Sequence, residues 1–255
     1  MSGGLTARLK DSLTGPADFG EVLASSWVGA SARELSERPV YLAQEGKVRL
    51  GDLFEVQGTP AGLLHFEGEL GSATRLGANL AEGQVSVDGN VGAEAGLGMS
   101  GGALVIEGNA GARAGAGFPG VRRGMTGGEL IIRGSAGAEA GATMRRGVVA
   151  VGRSAGERAG LGMIAGTVVV LGAAGADSGL WSKRGSVVAL GRFDPPPTYA
   201  YACTYQPIHL RLLLTRLKER YRLAVQRRHI TGLYRRYSGD MAELSRGEIL
   251  IWSRS

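Results

Sequence analysis

The chain has 255 residues, among them 44 glycines, 8 prolines, 3 histidines and one cysteine. Glycine far exceeds its usual share of ~7%, but the lack of a strict every-third glycine excludes collagen, and 44% hydrophobic residues exclude a disordered chain. The single Cys203 excludes a disulfide framework, a four-thiolate zinc site and a self-contained iron–sulfur cluster. The histidines lie far apart in sequence, which argues against a histidine-rich metal site.

The net charge of +6 comes entirely from residues 194–255, which carry 11 basic and 5 acidic side chains. Aromatic stacking motifs of RNA-binding modules are missing, so we expect a solvated helix face or an acidic partner protein, and no nucleic acid. No apolar run reaches the ~18 residues of a membrane span, and the first residues lack the apolar core of a secretion signal. The sequence therefore predicts a cytoplasmic protein without membrane contact.

The N-terminal segment, residues 1–61, has an ordinary composition and leads into a glycine-rich region. Residues 5–9 alternate between apolar and polar side chains as a strand does. Residues 31–35 begin like a short helix capped by Ser31. Residues 51–56, with the sequence GDLFEV, have the pattern of a further strand entering the next region.

Residues 62–193 contain a repeat of the form G-x-h-x-h-x-G-x-x-G-x-x-x-G, in which h is apolar. The units open at seven glycines: Gly62, Gly83, Gly102, Gly128, Gly147, Gly166 and Gly185. The spacing is 19 residues, except for 21 after the first unit and 26 after the third, which indicates an insertion around residues 117–123. Two units depart from the pattern, because Arg75 stands at offset thirteen of the first and the fifth carries Gly152 one position early.

A 19-residue unit has too little apolar surface to fold alone, so the units must stack on one another. Short β-branched runs and frequent glycines disfavour helices. The repeat therefore predicts an all-β fold, a right-handed parallel β-helix (a solenoid) of about seven coils, with equal offsets stacked ~4.8 Å apart.

Three columns of this stack are apolar and are predicted to face the interior. Offset two runs from Leu64 to Val187, and offset four runs from Phe66 to Ala189. The third column stands just before each following unit and contains Leu80 and four methionines, which we interpret as core filling. Offset eleven instead alternates in charge, which predicts ion pairs that fix the stacking register; it reads Glu94, Arg113, Glu139, Arg158 and Asp177.

The C-terminal segment, residues 194–255, is predicted to form a basic helix and tail. The proline run at 195–197 ends the repeat, and apolar residues between Leu210 and Ala224 share one helical face. The outward positions of the late coils, such as Val169 and Val188, are apolar, and an exposed apolar face of this kind needs cover. We predict that this helix caps the solenoid and that the helix or a partner covers the face.

The chain carries no P-loop, nucleophile elbow or His–Glu metal pair. His65 is the only histidine of the repeat region and is interpreted as structural. The residues alone thus predict a non-catalytic chain that presents surfaces to partners, with no catalytic residue, no metal ligand and no cofactor bound by this chain alone.

The coils, the GDLFEV segment, LYRRYSGDMAE at 233–243 and GEIL at 247–250 together resemble the C subunit of formylmethanofuran dehydrogenase and of its bacterial relative, the formyltransferase/hydrolase complex. The resemblance implies a structural protein that associates with an amidohydrolase-like A subunit, a formyltransferase-like D subunit and the B subunit of the same complex. The Ala- and Arg-rich composition is typical of a high-GC bacterium. It favours the hydrolytic complex, which converts formyl-tetrahydromethanopterin to formate through a methanofuran-like carrier.

Two alternatives stay open at this point. The chain is similar to the C subunit of tungsten or molybdenum formylmethanofuran dehydrogenases, whose metal centres sit on other subunits. The coils alone are similar to the C-terminal domain of the glutamate synthase large subunit, which implies a solenoid interaction module.

One edge of the solenoid is predicted to be basic. This basic edge consists of Arg122, Arg123, Arg145, Arg146, Lys183 and Arg184. The last two pairs share an offset two coils apart, which places them ~10 Å from one another, and the first pair lies in the insertion. Because the resemblance implies a carrier with a glutamate-rich tail, we expect the basic edge to contact that tail or an acidic patch of a partner protein.

Overall fold

A computed structural model describes residues 3–23 and 27–253 of the chain. Within those residues the elements are β1 (Leu5–Leu9), β2 (Ala17–Asp18), α1 (Ala32–Ser36), β3 (Pro39–Leu42), β4 (Gly46–Arg49), α2 (Leu50–Leu53), β5 (Phe54–Gly58), β6 (Leu63–Glu67), β7 (Ala73–Thr74), β8 (Gln84–Val87), β9 (Ser100–Ile106), β10 (Gly127–Ile132), β11 (Val148–Val151), β12 (Thr167–Val170), β13 (Arg184–Ala189), β14 (Ala200–Tyr205), α3 (Ile208–Tyr221), α4 (Arg227–Thr231), β15 (Tyr234–Gly239) and β16 (Arg246–Trp252). The protein is mostly β.

Twelve strands form one large, mostly parallel sheet in the order β14-β15-β16-β13-β12-β11-β10-β9-β8-β6-β1-β5. Neighbouring repeats pair at equal offsets, so that Leu64 lies opposite Val85 and Val149 lies opposite Val168. The predicted stacking register is therefore confirmed. A smaller sheet has the order β4-β3-β2-β7.

The three predicted apolar columns form the core. Every residue of offsets two and four is buried, and so are Leu80 and the four column methionines Met99, Met125, Met144 and Met163. At the N-terminal end the core is closed by Phe19, Phe54 and Phe66, whose rings meet edge to face at centroid distances of 5.5–6.5 Å. These contacts join the N-terminal segment to the first repeat.

Segments outside the repeats continue the same columns at both ends. Leu5 and Ala7 of β1 lie opposite Leu64 and Phe66. Beyond β13, Ile249 of β16 lies opposite Val187. The chain therefore returns after the helix to add another parallel strand, and the antiparallel strands β15 and β14 follow it at the sheet's edge. The division of the chain at residues 61 and 193 stays a prediction.

A second series of parallel bridges accompanies the sheet. It joins consecutive repeats through Leu70, Val91, Ala110, Ala136, Ala155 and Ala174. Four of the bridge residues follow a side chain of a type that bonds the backbone in turns: Asn90, Asn109, Ser135 and Ser154. The Asn90 Oδ1 atom accepts from the Asn109 N–H at 2.8 Å, and the Asn109 Oδ1 atom accepts from the Ser135 N–H at 2.8 Å. These side chains bind the backbone of the next repeat.

The structure corrects the interpretation of the first repeat. The first repeat is two residues longer than most of the later ones, and these two residues lie before Arg75. Arg75 therefore corresponds to Glu94 and Gly77 corresponds to Gly96. Both glycines have positive φ, at 77° and 66°, a region that glycine adopts without a steric penalty. The glycine that the sequence pattern missed is therefore present, two residues later.

Residues 51–56 were predicted to be a strand; the prediction is right for residues 54–56 and wrong for residues 51–53. Gly51 and its neighbours form the single helical turn α2, in which the Asp52 carboxylate accepts from the Arg49 N–H at 2.9 Å. The strand begins at Phe54, and β5 pairs antiparallel with β1 at the sheet edge. A side chain that caps a turn this close to the strand outweighs the apolar pattern.

Helix α3 covers the apolar face of the late repeats, as predicted. Val169 and Val188 are fully buried beneath it, in a cluster that includes Leu210, Leu214 and Leu217 of the helix. The helix ends at Tyr221, because Arg222 adopts a left-handed conformation, and so it is shorter than the apolar pattern indicates. It packs on the face of the sheet, while the sheet's end is continued by β16, β15 and β14.

Candidate functional site

The basic edge is exposed along its whole length. All six of its side chains are solvent-exposed. The N–H groups of Arg145 and Lys183 donate to the carbonyls of Met125 and Met163, at 2.7 and 2.9 Å, so the two residues occupy equivalent positions two repeats apart. The two arginines of the insertion precede the same position of the third repeat, where the Thr126 N–H donates to the Met99 carbonyl at 2.7 Å.

The structure adds Arg246 to this surface. It lies opposite Arg184 in the pairing of β13 with β16, and it is exposed. In the part of the chain that the structure describes, no salt bridge involves Arg246 or the basic edge. The pattern G-E-I-L at 247–250 is the signal that could have revealed Arg246, because it repeats the opening of each unit.

The charges at offset eleven pair with one another from Glu94 to Arg158, as predicted, whereas Asp177 forms no salt bridge with any described residue. The Arg113 guanidinium contacts Glu94 at 3.2 Å and Glu139 at 3.1 Å, and Arg158 contacts Glu139 at 3.7 Å. Arg75, which corresponds to this position in the first repeat, contacts Asp18 in the same way. This series fixes neighbouring repeats to each other and has a structural role.

His65 has partners that the sequence analysis missed. Its Nδ1 atom lies 2.8 Å from the Ser86 Oγ atom, and its Nε2 atom lies 3.2 Å from the Asp88 Oδ2 atom. These are the three groups of a hydrolase triad, but they lie on the face of a sheet whose strand β8 is paired on both sides. The backbone N–H groups of β8 donate to the neighbouring strands, so they are not available to stabilise an oxyanion. The contacts favour a cross-strand network over a nucleophilic site.

A buried carboxylate of the sheet bonds to helix α3. Glu129 of β10 accepts a hydrogen bond from the Tyr221 hydroxyl and contacts Arg216 at 2.8 Å. Burial and the neighbouring Glu129 carboxylate raise the pKa of Tyr221 to about 12. The tyrosine therefore stays protonated and keeps donating to Glu129 over the physiological pH range.

The C-terminal tail is fastened to the last repeat by a second buried carboxylate. Asp240 is fully buried and accepts from the N–H groups of Trp181 at 2.6 Å and Ala242 at 2.9 Å. The Tyr199 hydroxyl donates to the Gly179 carbonyl at 2.8 Å. These polar contacts hold β16 in register beside β13.

Among the described residues, no group of three or more His, Cys, Asp or Glu side chains is arranged to hold a metal ion. None of the helices in residues 3–23 and 27–253 is both long enough and apolar enough to cross a bilayer.

The strands and their pairing define a repeat-built, mostly β protein with exposed basic surfaces. The chain is similar to a solved structure described as the formyltransferase/hydrolase complex (FhcABCD) from Methylorubrum extorquens in complex with methylofuran. The two chains are 33% identical, with a TM-score of 0.79, and the match covers 98% of this chain and 100% of that chain. The chain belongs to the same family as the matched chain of that formyltransferase/hydrolase complex. No family model matches the chain, and no curated protein matches it.

Proposed function

We propose that this chain is the non-catalytic, structural C subunit of a cytoplasmic formyltransferase/hydrolase complex. In that complex an amidohydrolase-like A subunit and a formyltransferase-like D subunit, together with the B subunit, convert formyl-tetrahydromethanopterin to formate through a methanofuran-like carrier. The observation that carries the proposal is the match over nearly the full length of both chains at 33% identity. The comparison structure holds methylofuran, which favours the carrier-dependent hydrolytic reaction.

We also infer that the repeats wind as a right-handed parallel β-helix. Three series of contacts support this inference, since each repeat meets the next through the large sheet, through the bridges from Leu70 to Ala174 and through the turn that contains Glu94. Contacts with the next repeat at three separate points are what one closed turn per repeat would produce. An experimental density map tests the inference: each repeat should close one right-handed turn of the chain, and an open sheet or a left-handed turn would overturn it.

The role of this chain is tested by reconstitution. The four subunits are purified separately, and formate release from the formylated carrier is measured with and without this chain. The proposal expects no formate from this chain alone and reduced assembly of the others in its absence. Formate release by the isolated, metal-analysed chain would overturn it.

The basic edge is proposed to guide the acidic tail of the carrier or to bind an acidic patch of a partner protein. Its support is the row of exposed cations without salt bridges among the described residues, at equivalent positions of stacked repeats. Replacing Arg145 and Arg146 by glutamine should raise the KM for the carrier or weaken assembly. The effect should be largest at low salt, where charges are least screened. Unchanged KM and assembly at low ionic strength would end this idea.

A further inference from the structure

A groove lined by four arginines lies at the opposite ends of the late strands from the basic edge. It consists of two adjoining depressions of about 430 and 560 Å³ that share Leu190, Gly191 and Trp252. Arg153 and Arg228 line the first, and Arg192 and Arg235 line the second. We call this surface the arginine groove; it comprises Arg153, Arg192, Arg228, Arg235 and Trp252.

The indole of Trp252 stands between the two depressions and is held from several sides. Its Nε1 atom donates to the Arg228 carbonyl at 3.2 Å, and the ring meets His229 edge to face at 4.8 Å. The guanidinium of Arg228 lies 5.1 Å from the ring centroid. These contacts hold the Trp252 indole in place, and the indole in turn positions the Arg228 guanidinium.

The four arginines of the groove form no ion pair with an acidic side chain among the described residues. All four arginines are exposed, and within the described ranges no salt bridge involves them. Asp194 lines the second depression, but it forms no ion pair among those residues. Like charges gathered in a concave surface raise the local concentration of anions.

We propose that the arginine groove binds an extended, acidic peptide segment of a partner polypeptide. Arg153 follows β11 and Arg235 lies in β15, which is four strand positions away in the sheet. Four strand spacings correspond to roughly 19 Å, the length of about six residues of extended peptide. Guanidinium groups suit this ligand because they bind carboxylates in a two-pronged geometry.

A nucleic acid fits the groove less well than a peptide does. Binding of single strands relies on aromatic faces that are free to stack on bases. Arg228 lies over the Trp252 ring and His229 contacts it, so this indole is already engaged by its own neighbours. The groove thus offers charge without an open stacking platform.

The test uses the full chain and a fluorescently labelled peptide of about six glutamates, the length that matches the groove. Binding is measured by anisotropy at low and at physiological salt. The variant Arg228→Gln with Arg235→Gln should weaken binding about tenfold, because it removes two of the four cations that would contact the peptide. The matched control, Arg145→Gln with Arg146→Gln, removes the same charge from the basic edge and should change binding less than about twofold. It shows whether the peptide binds the groove or the basic edge.

A second readout does not depend on the groove variants. In the Trp181→Phe chain the emission that responds to ligand comes from Trp252, because Trp27 is buried, and the peptide should shift it. Equal loss of binding in both double variants, equal binding of an all-glutamine peptide, or unchanged Trp252 emission at saturation would overturn the proposal. So would tighter binding of a single-stranded oligonucleotide of equal charge.

Discussion

The outer face of the large sheet has two halves that share one backbone register and differ in their side chains. In the early half, on β6 and β8, His65 and Ser86 are partly exposed and bond to each other. In the late half, from β9 to β13, Val169 and Val188 are fully buried under α3. The backbone alone therefore does not decide whether a helix docks. The outward side chains decide it, because burying apolar side chains under a helix is favourable, whereas burying polar ones costs the free energy of removing them from water.

The largest expected effect comes from a charge placed under the helix. Val169→Asp should lower the free energy of unfolding by about 3 kcal/mol or more, because the carboxylate is buried without a partner. The matched variant is Ser86→Asp at the same offset of the early half, where the new carboxylate meets water and His65. Its cost should stay below ~1 kcal/mol. Urea unfolding of both variants measures the difference, and similar losses would contradict the contrast between the halves.

A smaller effect is expected from loss of the hydrogen bond between Tyr221 of α3 and Glu129 of the sheet. Tyr221→Phe removes the hydrogen bond to the buried Glu129 carboxylate and should cost about 2 kcal/mol, as charged hydrogen bonds do. Phe keeps the apolar packing of the ring, so the loss isolates the hydroxyl. Chemical unfolding at neutral pH measures it. The control is Tyr41→Phe, whose exposed hydroxyl donates to Glu21 at 3.4 Å and whose loss should cost less than ~0.5 kcal/mol.

The same tyrosine predicts how stability depends on pH. Its folded pKa of about 12 lies above the unfolded value of 10.0. A raised pKa contributes stability that is fully present below the unfolded pKa and is lost as the pH rises toward the folded one. The free energy of unfolding should therefore fall between pH 10 and 12 in the wild type, and less steeply in Tyr221→Phe. Parallel curves would show that Tyr221 is not the group responsible.

The row of alternating charges lies outside both halves and should respond more weakly. Arg113→Glu puts three carboxylates in a row and should cost about 1 kcal/mol at low salt. The loss should shrink at high salt because screening weakens the repulsion. Arg113→Gln, which removes the cation without adding an anion, is the control and should show little salt dependence.

The smallest effect is expected for the network of the early half. His65→Ala removes two contacts of a partly exposed side chain and should cost less than ~1 kcal/mol. The thermal midpoint of this variant is compared with that of wild type. A loss as large as that of Val169→Asp would mean that the early half is covered too.

The parts of the fold that repeat could be predicted from the sequence. The columns through Leu64 and Phe66, the charges at offset eleven and the need for cover over Val169 all follow from a 19-residue period, because stacking converts a period into contacts. The segment after Gly247 carries the same opening pattern, and applying it there would have predicted β16. The turn α2 was missed because one capping carboxylate, Asp52, determines it.

The contacts between distant segments could not be predicted. Glu129 and Tyr221 lie 92 residues apart, and neither residue carries a local signal of the other. The arginine groove likewise gathers Arg153, Arg192, Arg228 and Arg235 from four segments of the chain. Such sites depend on where the tail returns to the sheet, and the period of the repeat does not contain that information.

The central claim, that this chain is a structural component of a formyltransferase/hydrolase complex, is tested most directly by native mass spectrometry of the endogenous protein. The chain is tagged at its own locus and purified at low salt, and the masses of the intact assembly and of its released components are measured. The account predicts one assembly that contains this chain with an amidohydrolase-like and a formyltransferase-like protein. Recovery of the chain alone, or only with unrelated proteins, would contradict it.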